Sequence, residues 1–373
     1  VRDAQFLYVP DPPADGRWPA LTGLSGELIF ERNAMRVAGA QGRVAGAPNL
    51  QVQADAVIAN LDASTVQVNG LVRGPLADAL AVFNTLPVSK ALDHPLASAT
   101  ASGAADVRLA LSLPLAQIDR SRVQGSVTLA GNDLQLMADA PLLQRARGVV
   151  SFSESGFTVN GAQARALGGE LRIDGGSRNL PAGSGEPPLL LRLQGTATAE
   201  GLRQARELGW LAGLARRASG GAAYAATLGL RPTGVDIAVT SSLQGLALDL
   251  PAPLNKPADT SLPLRFELAP LPGASAQDQL SVAIGRVASL TYVRDTRAAQ
   301  PRVLRGAIGV GLAPGESAPL PERGVLANIN LAALNVDAWE TALQDLVAPG
   351  PVAPPPGAAA SRAGDAAAAQ GYL

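Results

Sequence analysis

Residues 148–169 read GVVSFSESGFTVNGAQARALGG, and residues 26–47 read GELIFERNAMRVAGAQGRVAGA. The two stretches align without a gap. They share a leading glycine, a phenylalanine four residues later and the string Val-x-Gly-Ala-Gln-x-Arg. Each contains a glycine-led strand, a polar turn and a return strand, which is the pattern of a β-hairpin. An internal repeat of this kind predicts a sheet that grows by the addition of similar hairpins.

A third and weaker copy begins at Gly125. Its apolar residues Val127, Leu129, Leu134 and Leu136 follow the spacing of the apolar residues in the first copy. The polar string Gly-Asn-Asp at 131–133 is the predicted turn of this hairpin. The three copies together place the clearest hairpins in the first half of the chain.

Much of the remaining sequence alternates apolar and polar residues with a period of two, which is typical of strands with one buried face. Short turn-like segments separate these runs. The sequence therefore predicts a mostly β fold: a long antiparallel meander of repeated hairpins that forms a curved, elongated sheet or groove, open along one side, with a few short helices. The clearest alternating runs are Val107/Leu109/Leu111/Leu113, Val235/Ile237/Val239, Leu264/Phe266/Leu268, Leu280/Val282/Ile284 and Val325/Ala327/Ile329.

Three segments interrupt the alternation. Residues 76–92 are apolar at mixed spacing and predict short helical turns, and residues 202–218 carry an apolar stripe at helical spacing. Residues 337–347 predict a third helix, with Asp337 as its cap and Glu340 three residues later. The predicted organisation is a first β-hairpin segment over 1–200, an interrupting amphipathic helix over 201–219, a second β segment over 220–347 that ends in a short helix, and a Pro/Ala-rich linker or loop over 348–373.

The composition argues against catalysis. The chain has no cysteine and a single histidine, His94. It therefore has few of the residues that usually form zinc sites and Cys or Ser-His nucleophiles. The acidic residues show neither paired-carboxylate nor calcium-loop spacing. Thirty basic and 31 acidic residues leave a net charge of −1, which gives no general attraction to nucleic acid. We therefore expect no enzyme, no cofactor, no metal site and no nucleic-acid partner.

The apolar face of the predicted sheet is then the candidate functional feature. One alternative is a sandwich in which a second sheet covers this face with a Leu/Val core. The other is a curved sheet whose inner face stays open and holds acyl chains, because each buried methylene contributes about 0.8 kcal/mol. The predicted lining residues of such a groove are Val127, Leu129, Leu134, Leu136, Val150, Phe152, Phe157 and Val159.

Four motifs spread along the chain carry a resemblance to a known family. They are WPAL at 18–21, ALGGEL at 166–171, LALDLPAPLNKP at 246–257 and LNVDAW at 334–339. With these motifs the chain resembles the AsmA-like proteins of the Gram-negative envelope, most closely their YhdP branch. The string Leu-Pro-Ala-Pro-Leu-x-Lys is the most distinctive of the four.

The resemblance implies an internal fragment of a long periplasmic protein, anchored in the inner membrane by an N-terminal helix that this sequence lacks. It implies a groove of repeated hairpins that conducts phospholipids between the inner and outer membranes, without catalytic residues. The implied partners are phospholipid acyl chains and, through other parts of the protein, the two membranes; we expect a monomer. A non-enzymatic structural or adhesive β-repeat protein of the cell envelope is the alternative.

Overall fold

The computed structural model describes residues 4–6, 20–62, 65–86, 89, 96–117, 120–138, 140–180, 186–231, 234–298, 301–313 and 316–347. His94 and the Pro/Ala-rich segment predicted over 348–373 lie outside the described residues.

The chain is mostly β, with 59% of its residues in strands, which confirms the predicted fold class. Nineteen strands form one sheet that is not closed. The strands are β1 Ala4–Phe6, β2 Leu21–Glu31, β3 Ala34–Val44, β4 Ala47–Ile58, β5 Thr65–Pro75, β6 Thr100–Ala101, β7 Ala104–Pro114, β8 Arg122–Gln135, β9 Leu143–Ser153, β10 Gly156–Ala166, β11 Gly169–Ser177, β12 Leu189–Thr198, β13 Ala218–Arg231, β14 Gly234–Ser241, β15 Leu246–Leu248, β16 Leu264–Pro270, β17 Gln277–Ile284, β18 Ala288–Asp295, β19 Arg302–Val310 and β20 Gly324–Ile329.

The sheet is a meander in which almost every strand pairs antiparallel with the next long strand along the chain. The short strand β15 departs from this order and pairs with the start of β13, outside the main sheet. The last strand, β20, pairs parallel with β19. At about 4.8 Å between neighbouring strands, the sheet measures about 80 Å along its length.

Four helices have described bounds: α1 Leu76–Thr85, α2 Ala199–Gln204, α3 Trp210–Leu214 and α4 Val336–Val347. The segment 202–218, predicted as one helix, consists of α2, α3 and two short 3-10 turns. Gly209 separates α2 from α3 because its φ of 56° and ψ of −118° lie far from helical values. The predicted C-terminal helix is present as α4, although Asn335 and not Asp337 caps it, with Asn335 Oδ1 accepting from Ala338 N at 3.0 Å.

The two long sides of the sheet, where the strands begin and end, differ in their connections. At one edge, here called the turn edge, strands are joined by hairpin loops such as 32–33 after β2 and 154–155 after β9. At the opposite edge, here called the helix edge, the connections carry α1, α2 and α3. The strand β20 that precedes α4 also ends at the helix edge. The described helices therefore lie along one side of the sheet.

The sequence repeat corresponds to a structural repeat. Gly39 in β3 and Gly161 in β10 occupy the same place in the two copies, with φ of 59° and 61°, and each lies at a break in the pairing register. An aspartate on the following strand accepts a hydrogen bond from each glycine, Asp55 Oδ1 from Gly39 N at 2.9 Å and Asp174 Oδ1 from Gly161 N at 2.6 Å. Such bulges bend a strand and increase its twist, so the repeat also repeats the curvature.

The third copy does not form the predicted hairpin. Strand β8 runs without a turn through 131–133, and the connection to β9 begins only after Gln135. Gly131, with φ of 116°, lies at a bulge instead. The Asn132 side chain, 1% exposed, fixes this bulge: Nδ2 donates to Ser102 O and Ala104 O, both at 2.9 Å, and Oδ1 accepts from Ala130 N at 3.0 Å.

The connection between β19 and β20 passes over one face of the sheet. A Cβ built on Gly309 would lie 2.8 Å from Leu312 Cδ1. Leu312, which belongs to this connection, therefore lies over the face toward which a side chain at position 309 would point. Val293 and Ala307, on the same side of neighbouring strands, are only 1% and 4% exposed. This face is therefore covered at β18 and β19.

We expect Asn132→Ala to lower the free energy of unfolding by about 1–3 kcal/mol, because it removes a buried amide that bonds to two part-buried carbonyls and one part-buried N–H. Urea denaturation of the purified chain measures this change. Asn160→Ala is the matched control, since Asn160 is exposed on β10, and it should leave stability within about 0.5 kcal/mol. Equal stability losses in the two variants would contradict the role of Asn132.

Candidate functional site

The pairing register brings six of the eight predicted lining residues onto one face of the sheet. Val127 of β8 lies opposite Val150 of β9, which lies opposite Val159 of β10. Phe152 lies opposite Phe157, and Leu129 follows Val127 two residues along β8. Directly opposed residues share a face, and residues two apart on a strand do the same. We call this side of the sheet the inner face.

The remaining two predicted lining residues lie beyond the bulge in β8. Leu134 lies opposite Leu143 of β9, and Leu136 follows the end of β8. The sequence pattern predicts both on the return strand of the third hairpin. This prediction is wrong, because β8 continues through the predicted turn at 131–133. That all eight residues line a lipid groove stays a prediction.

The same register extends the inner face across the sheet from β2 to β20. The apolar members of every alternating run identified in the sequence fall on it, while the residues between them fall on the opposite, outer face. Register pairs that carry the inner face from strand to strand include Leu28 with Val37, Ala56 with Val68, Val72 with Val107, Ile173 with Leu193, Leu191 with Leu228, Val239 with Phe266, Val282 with Leu290 and Ile308 with Ala327.

The outer face is polar and carries the ion pairs of the sheet. Arg73 of β5 lies opposite Asp106 of β7, with Nε and Oδ2 3.6 Å apart, and Arg231 of β13 approaches Asp236 of β14 at 2.6 Å. Exposed surface pairs of this kind contribute little to stability but keep the outer face soluble. The two faces of the sheet therefore differ in chemistry over most of its described length, although Val293 and Ala307 are buried on the outer face at β18 and β19.

The inner face is not covered as a conventional core would be. Among the described residues, the largest side chains below 2% exposure are Val293, Asn132 and Ser89, and Val293 lies on the outer face. Large apolar side chains on the inner face reach high exposures, 62% at Phe30 of β2 and 54% at Ile329 of β20. A sandwich would bury such residues against a second sheet. The structure thus favours the open groove over the sandwich among the two alternatives.

Burial of the inner face is concentrated at the helix edge. There, Ala79 and Val82 of α1 pack against a buried cluster formed by the strand ends near this edge. A second buried cluster joins Ala199 of α2, Ala222 of β13 and Ala342 of α4. The described helices therefore wall one side of the groove, and the described residues of the turn-edge connections form no α-helix. The strand-end cluster is Leu21, Val44, Ala47, Leu50 and Val52.

Two of the motifs that carry the family resemblance meet in this wall. The Trp339 Nε1–H of α4 donates to the carbonyl of Ala252, 87 residues away, at 3.0 Å. Lys256 is 3% exposed, and its Nζ donates to Leu246 O at 2.7 Å and Pro257 O at 2.9 Å. Burial lowers the pKa of Lys256. The Leu-Pro-Ala-Pro-Leu-x-Lys string is thus a structural element that holds α4 against the sheet.

Aromatic side chains on the inner face lie over glycines of the neighbouring strand. Gly125 is opposite Phe152, and a Cβ on Gly125 would come within 2.4 Å of Phe152 Cζ. Tyr292 covers Gly306 in the same way, with a corresponding distance of 2.2 Å. The rings therefore lie along the sheet, as in cross-strand pairs where an aromatic ring shields a glycine.

Asp278 of β17 and Arg294 of β18 break the apolar pattern. The register places both on the inner face, directly opposite each other. Neither residue is among the predicted lining residues, although extending the run Leu280/Val282/Ile284 backwards by two residues arrives at Asp278. Periodicity thus marks Asp278 as a charged exception, whereas its pairing with Arg294 follows only from the register.

Other functional chemistry is sparse in the described part of the chain. No group of three or more His, Cys, Asp or Glu side chains there could hold a metal ion. The described helices have 12 residues or fewer, which is too short to cross a bilayer. The inner face is the one extended feature that these residues offer for binding.

Comparison with known proteins gives one match. The family model described as YhdP protein matches residues 1–369, which is nearly the whole chain. This family is a non-enzymatic, bridge-like transport family. No curated protein and no solved structure matches the chain.

We expect Gly125→Ala to destabilise the chain by about 1–3 kcal/mol, because the added Cβ would meet both Phe152 Cζ and, at 2.5 Å, Arg108 O. Gly70→Ala is the matched control. Gly70 also lies on the inner face, but its nearest atom to an added Cβ is 3.8 Å away, so the change should be neutral or stabilise by about 0.5 kcal/mol. Urea denaturation of both variants tests this, and equal outcomes would contradict the ring-over-glycine packing.

Proposed function

The chain belongs to the YhdP family, and we propose that it is a segment of a periplasmic AsmA-like protein that conducts phospholipids between the inner and outer membranes. The observation that carries this proposal is the inner face: one apolar surface, continuous over the sheet, polar on its reverse side and without a covering layer among the described residues.

The chemistry of the inner face suits acyl chains in motion. The lining is Leu, Val, Ile and Ala on successive strands, so a methylene gains a similar free energy, about 0.8 kcal/mol, wherever it lies. Apolar attraction has no preferred direction, and a uniform lining offers no deep local minimum that would trap a lipid. We infer that acyl tails slide along the inner face.

The two edges of the sheet suggest an orientation for the lipid. The described helices pack at the helix edge, whereas the described residues of the turn-edge connections form no α-helix. Phosphate and amine groups lose several kcal/mol when they are buried without partners. Head groups would therefore stay in solvent at the turn edge while the tails lie on the inner face. Transfer would be passive, since the sequence has no nucleotide-binding motif.

The remaining features of the proposal follow from family membership. We propose that the chain is not an enzyme, that it works in the periplasm as a monomer, and that other parts of the protein contact the two membranes. An N-terminal helix outside this sequence would anchor the protein in the inner membrane.

A triple variant with Val127→Asp, Leu129→Asp and Phe152→Glu tests the groove. The three carboxylates would lie on the inner face, where an acyl chain cannot compensate their desolvation. We expect the variant to fold and to retain less than about a tenth of the phospholipid that the wild-type chain carries after purification from a bacterial periplasm. Native mass spectrometry with lipid extraction measures the bound lipid.

The matched control places three carboxylates on the outer face of β8 and the nearby strand β10, with Ser126→Asp, Thr128→Asp and Thr158→Glu. It should carry as much lipid as the wild-type chain. Normal lipid content in a folded inner-face variant would refute the groove. A wild-type chain that is stably folded and free of lipid would favour the structural or adhesive β-repeat alternative.

A further inference from the structure

The inner face carries a single pair of charges. When the pairing register is followed across the described strands, every other charged residue that has a register partner falls on the outer face, and among these residues only Asp278 and Arg294 fall on the inner face. Both lie at the turn edge, Asp278 at the start of β17 and Arg294 near the end of β18. The pair thus stands where the apolar groove meets its open side.

The pair has a defined geometry. Arg294 Nε donates to Asp278 Oδ1 at 2.8 Å and Arg294 Nη2 donates to Asp278 Oδ2 at 2.7 Å, which is a bidentate arrangement. The side chains are 20% and 15% exposed, so both are partly desolvated yet reachable from solvent. Their neighbours on the inner face are apolar: Pro270 lies opposite Asp278, and Leu280 and Tyr292 come next along the two strands.

Stability does not account for these charges on this face. Removing two charges from water costs free energy that their attraction barely returns, and apolar residues of similar size are often as stable or more stable. The other ion pairs between neighbouring strands of the sheet lie on the outer face, where that cost is small. A pair of opposite charges at the rim of an apolar groove is, by contrast, what a lipid with a charged head group would meet.

We propose that Asp278 and Arg294 form a head-group site for zwitterionic phospholipids of the phosphoethanolamine class; this proposal rests on the lipid-conducting function proposed above. The phosphate of the head group would pair with the Arg294 guanidinium, and its ammonium would pair with the Asp278 carboxylate. Acyl tails of the same lipid would lie on the neighbouring apolar residues of the inner face.

The site favours a zwitterionic head group because each of the two side-chain charges then exchanges its present partner for an opposite charge on the lipid. A head group with both charges replaces the Arg294–Asp278 pair with two new pairs, so neither side chain is left uncompensated. An anionic head group, such as phosphoglycerol, would satisfy Arg294 but leave the Asp278 carboxylate beside another negative charge. An unpaired charge in a partly desolvated site is costly, and this cost gives the selectivity.

The test loads the purified chain from vesicles that contain equal amounts of phosphatidylethanolamine and phosphatidylglycerol, and identifies the bound lipids by native mass spectrometry. We expect the wild-type chain to bind phosphatidylethanolamine about tenfold over phosphatidylglycerol, as one added charge-assisted hydrogen bond would give. The double variant Asp278→Leu/Arg294→Leu should fold, bind similar total lipid and show a ratio near one.

The matched control is Arg231→Leu/Asp236→Leu, which removes a cross-strand ion pair of similar exposure, 28% and 26%, at the same edge but on the outer face. It should keep the wild-type ratio. The single variant Asp278→Asn keeps the guanidinium and removes the repelling carboxylate, so it should raise the phosphatidylglycerol share above that of the wild-type chain. A purely structural ion pair would alter stability in these variants without moving the ratio.

The outcomes separate the two proposals. If the wild-type chain binds no lipid, the conducting function itself fails. If the wild-type chain and all variants bind lipid with one unchanged ratio, the conducting function stands and the head-group site is refuted.

Discussion

The structure depends on register between neighbouring strands. Every strand presents apolar residues to one face and polar residues to the other, so a slip of one residue would turn a whole strand inside out. Directly opposed pairs such as Val127 with Val150 and Val150 with Val159 show the register kept from one strand to the next. The bulges at Gly39 and Gly161 each insert a residue without inverting the remainder of the strand, because an aspartate of the neighbouring strand holds each in place.

Two further constraints shape the face that the register creates. Rings that lie over glycines, as Phe152 does over Gly125, supply apolar area without projecting into the groove. The helices pack only at one edge, where Trp339 and the buried Lys256 tie α4 and the 246–257 segment together. Strand alternation therefore makes this surface apolar, and glycines make room for the aromatic rings that lie over them. The described helices, which lie in connections at the helix edge, form a wall on one side.

Much of this fold could be predicted from the sequence, because period two and a repeated hairpin are local signals. The same signals placed Val127, Leu129, Val150, Phe152, Phe157 and Val159 on one face. The turn predicted at 131–133 was wrong because Asn132 bonds to carbonyls about 30 residues away, which no local pattern reports. The break at Gly209 and the cap at Asn335 were not predicted, because both depend on backbone dihedral angles that the sequence alone does not give. Asp278 and Arg294 escaped notice because only pairing shows that they face each other.

The β19–β20 connection has a mechanical consequence. Most of the sheet is a single layer, whose bending is resisted only by its own hydrogen bonds and by side chains on one face. At β18 and β19 the connection adds packing on the reverse side, where Val293 and Ala307 are shielded from water. Packed side chains transmit strain with little compression, so this packing stiffens the sheet at β18 and β19. Flexure of the groove would then be concentrated in the uncovered strands, and β18 and β19 would move as one rigid block.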